Sequence, residues 1–155
     1  MTTAQIVALH TSDGGAPKHP VERVQVLRGG IEGDRQAHPK FHGGPERAVC
    51  LFSTEVMERL RAEGHPIGPG QTGENVTLTG IDWAQLTPGR TLAFAGGVQL
   101  TITSYARPCR QIRHAFEGGD FERIHQERHA GESRVYARVD REGELSVGEA
   151  VELLP

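Results

Sequence analysis

The chain has 155 residues, of which 36% are hydrophobic and 24% are charged, which is enough for one domain with a packed core. A formal net charge of −3 argues against non-specific nucleic-acid binding, because that binding depends on neutralising phosphates. The sequence has no apolar run of about 18 residues, so it predicts no membrane-spanning helix. The 20 glycines and 9 prolines follow no collagen-like period and predict many turns between short strands.

The cysteines and the N-terminal residues indicate a compartment. Cys50 and Cys109 are the two cysteines, too few for a disulfide framework. A signal peptide has a basic region followed by an apolar stretch, and residues 1–5 do not show this pattern. We therefore expect a single domain over residues 1–155, located in the cytoplasm and carrying free thiols.

The apolar pattern, followed along the chain, predicts a domain made mainly of short strands. Strand-like runs occupy residues 5–9, 21–27, 47–52, 75–78, 91–94, 98–103, 134–139 and 150–154. Ser53 is typical of a helix N-cap, and an apolar stripe through Leu60 follows it. Residues 109–116 and 121–129 also have helical spacing. Strands in succession, with only two or three helices, favour a β-barrel or sandwich over a doubly wound sheet.

Cys109 has the local sequence of a reactive thiol. It lies in Arg107-Pro108-Cys109-Arg110, directly after a predicted strand and at the start of a predicted helix. Neighbouring guanidinium groups and helix N-terminal amides both favour a thiolate, which binds soft metals and attacks sulfur. An inert, partly buried cysteine fits the local sequence equally well. Cys50 has apolar neighbours, and we interpret it as a small core residue.

Glycine-rich segments carry further polar side chains that are candidates for a site. These side chains are Asp34, His42, Arg47, Glu74 and Asn75. Each of these residues alone is typical of a turn or of the surface. Three glycine-rich loops that carry charged side chains, together with Cys109, indicate a site. Residues 68–73 match a dinucleotide fingerprint, yet they follow a helix and precede a strand, which is the wrong context. The histidine pairs 38/42 and 125/129 are interpreted as solvated side chains rather than zinc ligands.

Four sequence blocks carry a family resemblance. In chain order they are Gly33-Asp34, then His42-Gly43-Gly44-Pro45-Glu46-Arg47-Ala48-Val49, then Gly70-Gln71-Thr72-Gly73-Glu74-Asn75-Val76-Thr77, then Pro108-Cys109. Together they resemble the MOSC family, the domain named for the molybdenum cofactor sulfurase C-terminus. The segment from Val135 to Val139, with Gly143 and Val147-Gly148-Glu149, is similar to the end of that domain. The resemblance spans nearly the whole chain and implies a barrel similar to the pyruvate kinase β-barrel.

The resemblance also implies a cofactor and a set of site residues. It implies a molybdenum–pterin cofactor, with Cys109 as the metal ligand in members that reduce N-hydroxylated compounds. Asp34, His42 and Glu74 are then candidates to protonate the departing oxygen. Residues expected to contact the cofactor through guanidinium, amide or backbone N–H groups are Arg47, Arg107, Arg110, Asn75, Gly43, Gly44 and Gly73.

Alternative functions and partners follow from the same resemblance. Cys109 is also suited to carry a persulfide, and a third possibility is a non-catalytic domain that captures a small anion or a partner protein. We expect electrons or sulfur to come from another protein in trans, a small-molecule substrate, and neither nucleic acid nor a membrane as partner. A pyridoxal phosphate association belongs to the family through the sulfurase's other domain, but neither Lys18 nor Lys40 resembles a pyridoxal-phosphate lysine.

Overall fold

A computed structural model describes the chain over residues 3–14, 16–34 and 44–155. The strands in these ranges are β1 (Gln5–Thr11), β2 (His19–Val21), β3 (Arg23–Leu27), β4 (Gly30–Ile31), β5 (Val49–Ser53), β6 (Val76–Thr79), β7 (Thr91–Phe94), β8 (Gln99–Tyr105), β9 (Val135–Arg141), β10 (Gly143–Ser146) and β11 (Val151–Leu153). The α-helix is α1 (Thr54–Ala62). No helix in the described ranges is long and apolar enough to cross a bilayer.

Most of the strands belong to one mixed sheet. Its order is β11-β7-β8-β9-β5-β6-β1-β2, and a smaller sheet has the order β10-β3-β4. The β5–β6 pair is parallel, with α1 as the connection between these two strands. The mainly β prediction is confirmed, although the large sheet is not a closed barrel. An isolated bridge joins Gln5 of β1 to Ala150, the residue that directly precedes β11.

The central strand and the helix form as the sequence predicts. All five residues of β5 are buried, as expected for a continuous apolar run covered on both faces. The Ser53 hydroxyl accepts a hydrogen bond from the Val56 N–H at 3.2 Å, which caps the first turn of α1. Val56, Met57 and Leu60 are the buried stripe of the helix, so its position is set by the same apolar side chains that predicted it.

The two helical segments predicted after Cys109 form as 3₁₀ turns and not as α-helices. The segment after Cys109 is a series of 3₁₀ turns at Arg110–Ala115, Glu117–Gly119 and Phe121–Ile124. Gly118 and Gly119 have positive φ angles of 64° and 73°, which stops an α-helix from continuing across them. The helical spacing therefore reflects a few buried anchors in successive short turns rather than one continuous apolar face.

Candidate functional site around Cys109

Cys109 lies between the end of β8 and the first of these 3₁₀ turns. It is half-buried, and its backbone is extended, with φ −141° and ψ 173°. The Cys109 carbonyl accepts a hydrogen bond from the Ile112 N–H at 3.1 Å, and the Ile112 side chain is buried in the core. This anchor fixes the turn that follows the cysteine. The turn is a six-residue 3₁₀ segment, so the α-helix N-terminus expected at Cys109 does not form.

A cleft brings two of the predicted arginines together. Arg47 and Arg107 are exposed, and both line a cleft of about 360 Å³. The Arg47 guanidinium carbon lies 5.6 Å from the centre of the Tyr136 ring, within range of a cation–π contact. The full lining is Arg47, Tyr105, Ala106, Arg107, His125, Gln126 and Glu127. Arg110 is also exposed, but it does not line this cleft.

A small buried cluster lies behind the cleft. Cys50, Ala106 and Tyr136 form it, and Ala106 is shared with the cleft lining. Burial raises the pKa of the Cys50 thiol to about 11, with Arg134 acting in the opposite direction. Burial likewise raises the pKa of Tyr136 well above its usual range. Cys50 is thus confirmed as a core residue.

Arg134, for which the sequence predicts no role, is buried next to this cluster. It is 7% exposed and directly precedes β9. Its Nη1 donates to the Thr72 carbonyl oxygen at 2.6 Å, and its Nη2 donates to the Arg107 carbonyl oxygen at 3.3 Å. The Nε is buried and has no hydrogen-bond partner within the described part of the chain. Nothing in the sequence distinguishes this arginine from an exposed one at a strand end.

Glu74 shapes a turn rather than lining the cleft. Its side chain is fully buried, and its two carboxylate oxygens accept hydrogen bonds from the Gly70 N–H and the Thr72 hydroxyl. Gly73, with φ +80°, completes the same turn by donating its N–H to the Gly70 carbonyl at 3.2 Å. Both oxygens are therefore engaged within the Gly70–Gly73 turn.

Asp34 and Asn75 form a second buried set of contacts. Asp34 Oδ1 accepts from Lys18 Nζ at 2.6 Å and from the Ser12 N–H at 2.9 Å. Asp34 Oδ2 accepts from Asn75 Nδ2 at 3.0 Å, and Asn75 Oδ1 accepts from the Cys50 N–H at 3.0 Å. These bonds suit a structural anchor that joins the segment before β2 to β5. The residues around Lys18 in the sequence do not predict this role.

Of the remaining predicted site residues, the structure describes Gly44 only. His42 and Gly43 lie outside the described residues, and so does His38. Gly44 is exposed, has φ +93° and immediately precedes the 3₁₀ turn Pro45–Arg47. Among the described residues, no group of three or more His, Cys, Asp or Glu side chains is arranged to hold a metal ion.

The chain belongs to the MOSC domain family, whose model matches residues 38–152. It is similar to the uncharacterized protein YflK of Bacillus subtilis (strain 168), with 30% identity over 144 residues that cover 90% of this chain and 63% of YflK. It is also 26% identical over 101 residues to protein YiiM of Escherichia coli (strain K12), covering 63% of this chain and 45% of YiiM. The matches therefore span less than two thirds of each relative's length.

Solved structures share the fold. The YuaD protein from Bacillus subtilis has a TM-score of 0.76 at 23% identity, covering 98% of this chain and 96% of that one. YiiM from Geobacillus stearothermophilus has a TM-score of 0.74 at 22% identity, covering 98% of this chain and 75% of that one. These likenesses support the MOSC fold for the chain described here.

Proposed function

We propose that this MOSC protein holds a molybdenum–pterin cofactor at Cys109 and reduces N-hydroxylated compounds. The observation that carries the proposal is a half-buried cysteine flanked by exposed arginines in a chain of the MOSC family. Cys109 does not itself line the cleft, but Arg107, two residues earlier, does. We further propose that electrons come from a redox protein in trans, in the cytoplasm.

The residues at this place fit such a cofactor. A single thiol is a suitable protein ligand for a metal whose other ligands arrive with the cofactor. Arg47, Arg107 and Arg110 are exposed, and planar guanidinium groups suit bidentate contacts to a phosphate. When bound, the cofactor would supply a redox-active metal with a position open to the N–O oxygen of the substrate.

The cleft offers a hydrogen-bond donor in place of the predicted acids. The carboxylates of Asp34 and Glu74 are engaged in buried hydrogen bonds, and neither residue lines the cleft. His125 does line it, and its Nδ1 accepts a hydrogen bond from the Glu127 N–H at 3.1 Å. A neutral ring that accepts at Nδ1 carries its hydrogen at Nε2. We therefore propose that the His125 Nε2–H donates a hydrogen bond to the departing oxygen, which takes its proton from water.

Molybdenum content tests the proposal directly. Wild type, Cys109→Ser and Cys50→Ala are produced in a host that makes the cofactor, and metal and pterin are measured for each folded protein. We expect comparable molybdenum in wild type and Cys50→Ala and a loss of most of it in Cys109→Ser. Cys50→Ala is the matched control because it removes the buried thiol. Equal, near-zero molybdenum in all three proteins would refute the proposal.

Persulfide transfer through Cys109 is the second candidate. The Cys109 thiol is half-buried, whereas the Cys50 thiol is buried. A persulfide on Cys109 would therefore have no accessible second thiol in the same chain with which to form a disulfide. After incubation with a cysteine desulfurase and cysteine, mass spectrometry should find one added sulfur atom on Cys109 and none on Cys50. An unchanged mass at Cys109 would exclude this function.

A further inference from the structure

We infer that Arg123 is a positioning residue for the cleft, because its guanidinium joins the two ends of the segment that carries His125 to each other and to the end of α1. This segment, residues 125–132, is called the His125 segment below. The inference rests on the proposed function, in which His125 donates a hydrogen bond to the departing oxygen. Its basis is the burial of the segment, the ion pairs at its ends and the hydrogen bonds inside it.

The His125 segment has no apolar anchor of its own. Its first three residues, 125–127, line the cleft. No residue from 125 to 132 is buried, whereas the flanking residues Ile124 and Ser133 are 0% and 1% exposed. Apolar burial therefore fixes the chain just before and just after the segment. Polar contacts have to fix its course between these two points.

The guanidinium of Arg123 supplies the strongest of these contacts. Its Nε and Nη2 donate to the two carboxylate oxygens of Glu63 at 2.8 and 2.7 Å, which is a bidentate contact. Its Nη1 lies 2.9 Å from Glu132 Oε1, and the other oxygen of Glu132 accepts from Arg59 Nε at 2.9 Å. Arg59 lies on α1 and Glu63 directly follows it, so both ends of the His125 segment are held to the helix.

The four side chains of this ion-pair network balance each other in charge. The hydrogen bond from Arg123 lowers the pKa of Glu63 from its ordinary value. Burial acts to raise the pKa of Glu132, but Arg59 and Arg123 outweigh burial and lower that pKa. Both carboxylates are therefore ionised near neutral pH and match the two guanidinium groups. The Arg123 side chain is only 11% exposed, which limits screening of its contacts by solvent.

Hydrogen bonds inside the segment connect the Glu132 end to the cleft. Gly131, which directly precedes Glu132, donates its N–H to Gln126 Oε1 at 3.1 Å. Gln126 directly follows His125, whose Nδ1 accepts from the Glu127 N–H at 3.1 Å. The segment is thus closed on itself, and a change in the position of its Glu132 end shifts the His125 ring in the cleft.

The first test needs no cofactor. Hydrogen exchange at residues 127–132 and the ¹⁵N spectrum of the His125 ring are measured at about pH 8, above the ordinary pKa of histidine. In Arg123→Met, exchange should accelerate several-fold and the Nδ1 signal should move toward that of free imidazole. Arg123→Lys should fall between this variant and wild type, because lysine keeps the charge but lacks the fork that contacts two carboxylates.

The matched control is an exposed arginine in the same segment. The Arg128 side chain is 54% exposed, and its Nη1 lies 3.8 Å from Asp120 Oδ1. Arg128→Met should leave both the exchange rates and the His125 ring spectrum at their wild-type values. A uniform effect of removing any arginine from the segment would appear in this variant as well.

The second test asks whether Arg123 acts through His125. The kcat and KM of the cofactor-loaded protein are measured with benzhydroxamic acid as the N-hydroxylated substrate and dithionite-reduced methyl viologen as the electron donor. Arg123→Met should lower kcat several-fold with little change in KM. In a His125→Gln background the same substitution should have almost no further effect, because the group that it positions is already absent.

Two outcomes would overturn the inference. One is wild-type exchange and a wild-type ring spectrum in folded Arg123→Met, and the other is an equal loss of kcat in both backgrounds. If Arg123→Met does not fold, Glu63→Gln weakens the same network at a side chain that is 45% exposed, and the same criteria apply to it. A protein without molybdenum, or an unchanged kcat in His125→Gln, would refute the proposed function, and the first test would still decide the role of Arg123.

Discussion

Lys18 and Asp34 form an ion pair with 2.6 Å between Nζ and Oδ1, and their side chains are only 4% and 3% exposed. The pair joins the residues before β2 to the residues after β4. Through Asn75, the same carboxylate is connected to the backbone of β5 at Cys50. Asp34 is therefore held to the centre of the large sheet by charge and hydrogen bonds.

Removing one partner of this pair should destabilise the protein strongly. Lys18→Met leaves Asp34 as a buried carboxylate without its counter-charge, and we expect a loss of about 3–5 kcal/mol in the free energy of unfolding. Urea denaturation measures this loss. The double variant Lys18→Met/Asp34→Asn should recover much of it, because no isolated charge then remains and an amide oxygen still accepts from the Ser12 N–H.

The control for this prediction is an exposed ion pair. Arg138 and Asp140 are 3.0 Å apart, with side chains 47% and 32% exposed. Arg138→Met should cost less than about 1 kcal/mol, as is usual for surface pairs. Equal losses in Lys18→Met and Arg138→Met would contradict the importance of the buried pair.

Gly70 should tolerate substitution poorly. Its φ is +81°, and an added Cβ would lie 2.7 Å from Nε2 of the His10 ring. Backbone strain and overpacking together predict a loss of about 3 kcal/mol for Gly70→Ala. Gly89, with φ +99° and open space around it, isolates the backbone contribution, and Gly89→Ala should cost only about 1 kcal/mol. Thermal and urea unfolding would rule out the steric argument if both variants lost the same stability.

The buried His10 should make stability depend on pH in the mildly acidic range. Burial lowers the pKa of His10 from its ordinary value of 6.5, and Glu74 opposes this shift. The unfolded chain therefore binds more protons than the folded protein between the lowered pKa and 6.5, so the free energy of unfolding falls as pH falls through that window. Above 6.5 this histidine contributes no slope.

The pH prediction is tested by substituting His10. His10→Gln should flatten the dependence of the urea-unfolding free energy on pH just below 6.5. The prediction fails if the slopes of wild type and His10→Gln are the same.

The two thiols should differ sharply in accessibility. Native protein treated with iodoacetamide near neutral pH should be modified at Cys109, while Cys50 reacts only after unfolding. Burial shields Cys50 and raises its pKa to about 11, so little thiolate is present there. Peptide mapping before and after addition of urea measures both sites. Comparable labelling of the two cysteines in the native protein would contradict the burial of Cys50.

Local patterns determined much of the fold in advance. The strand at β8, the apolar run of β5 and the N-cap at Ser53 each depend on residues a few positions apart, and the structure confirms them. The burial along β8 is not alternating, because Thr101 is buried between two buried apolar residues. Four motifs in chain order, from Gly33 to Cys109, likewise resembled those of the MOSC family. The helical spacing after Cys109 does not correspond to an α-helix. A few buried residues in successive 3₁₀ turns produce the same spacing as a short α-helix.

Only the tertiary structure decided how the polar residues are used. Glu74 and Asp34 have side chains suited to acid catalysis. The Glu74 carboxylate instead accepts hydrogen bonds within a turn, and the Asp34 carboxylate pairs with a buried lysine. Arg134 resembles a surface residue in sequence, yet its guanidinium is buried against a carbonyl 62 residues away. Burial and charge balance depend on which distant segments come together, and the energies of ionisable groups depend on both. The identity of a side chain therefore limits its possible chemistry, while the partners brought by the fold select the role.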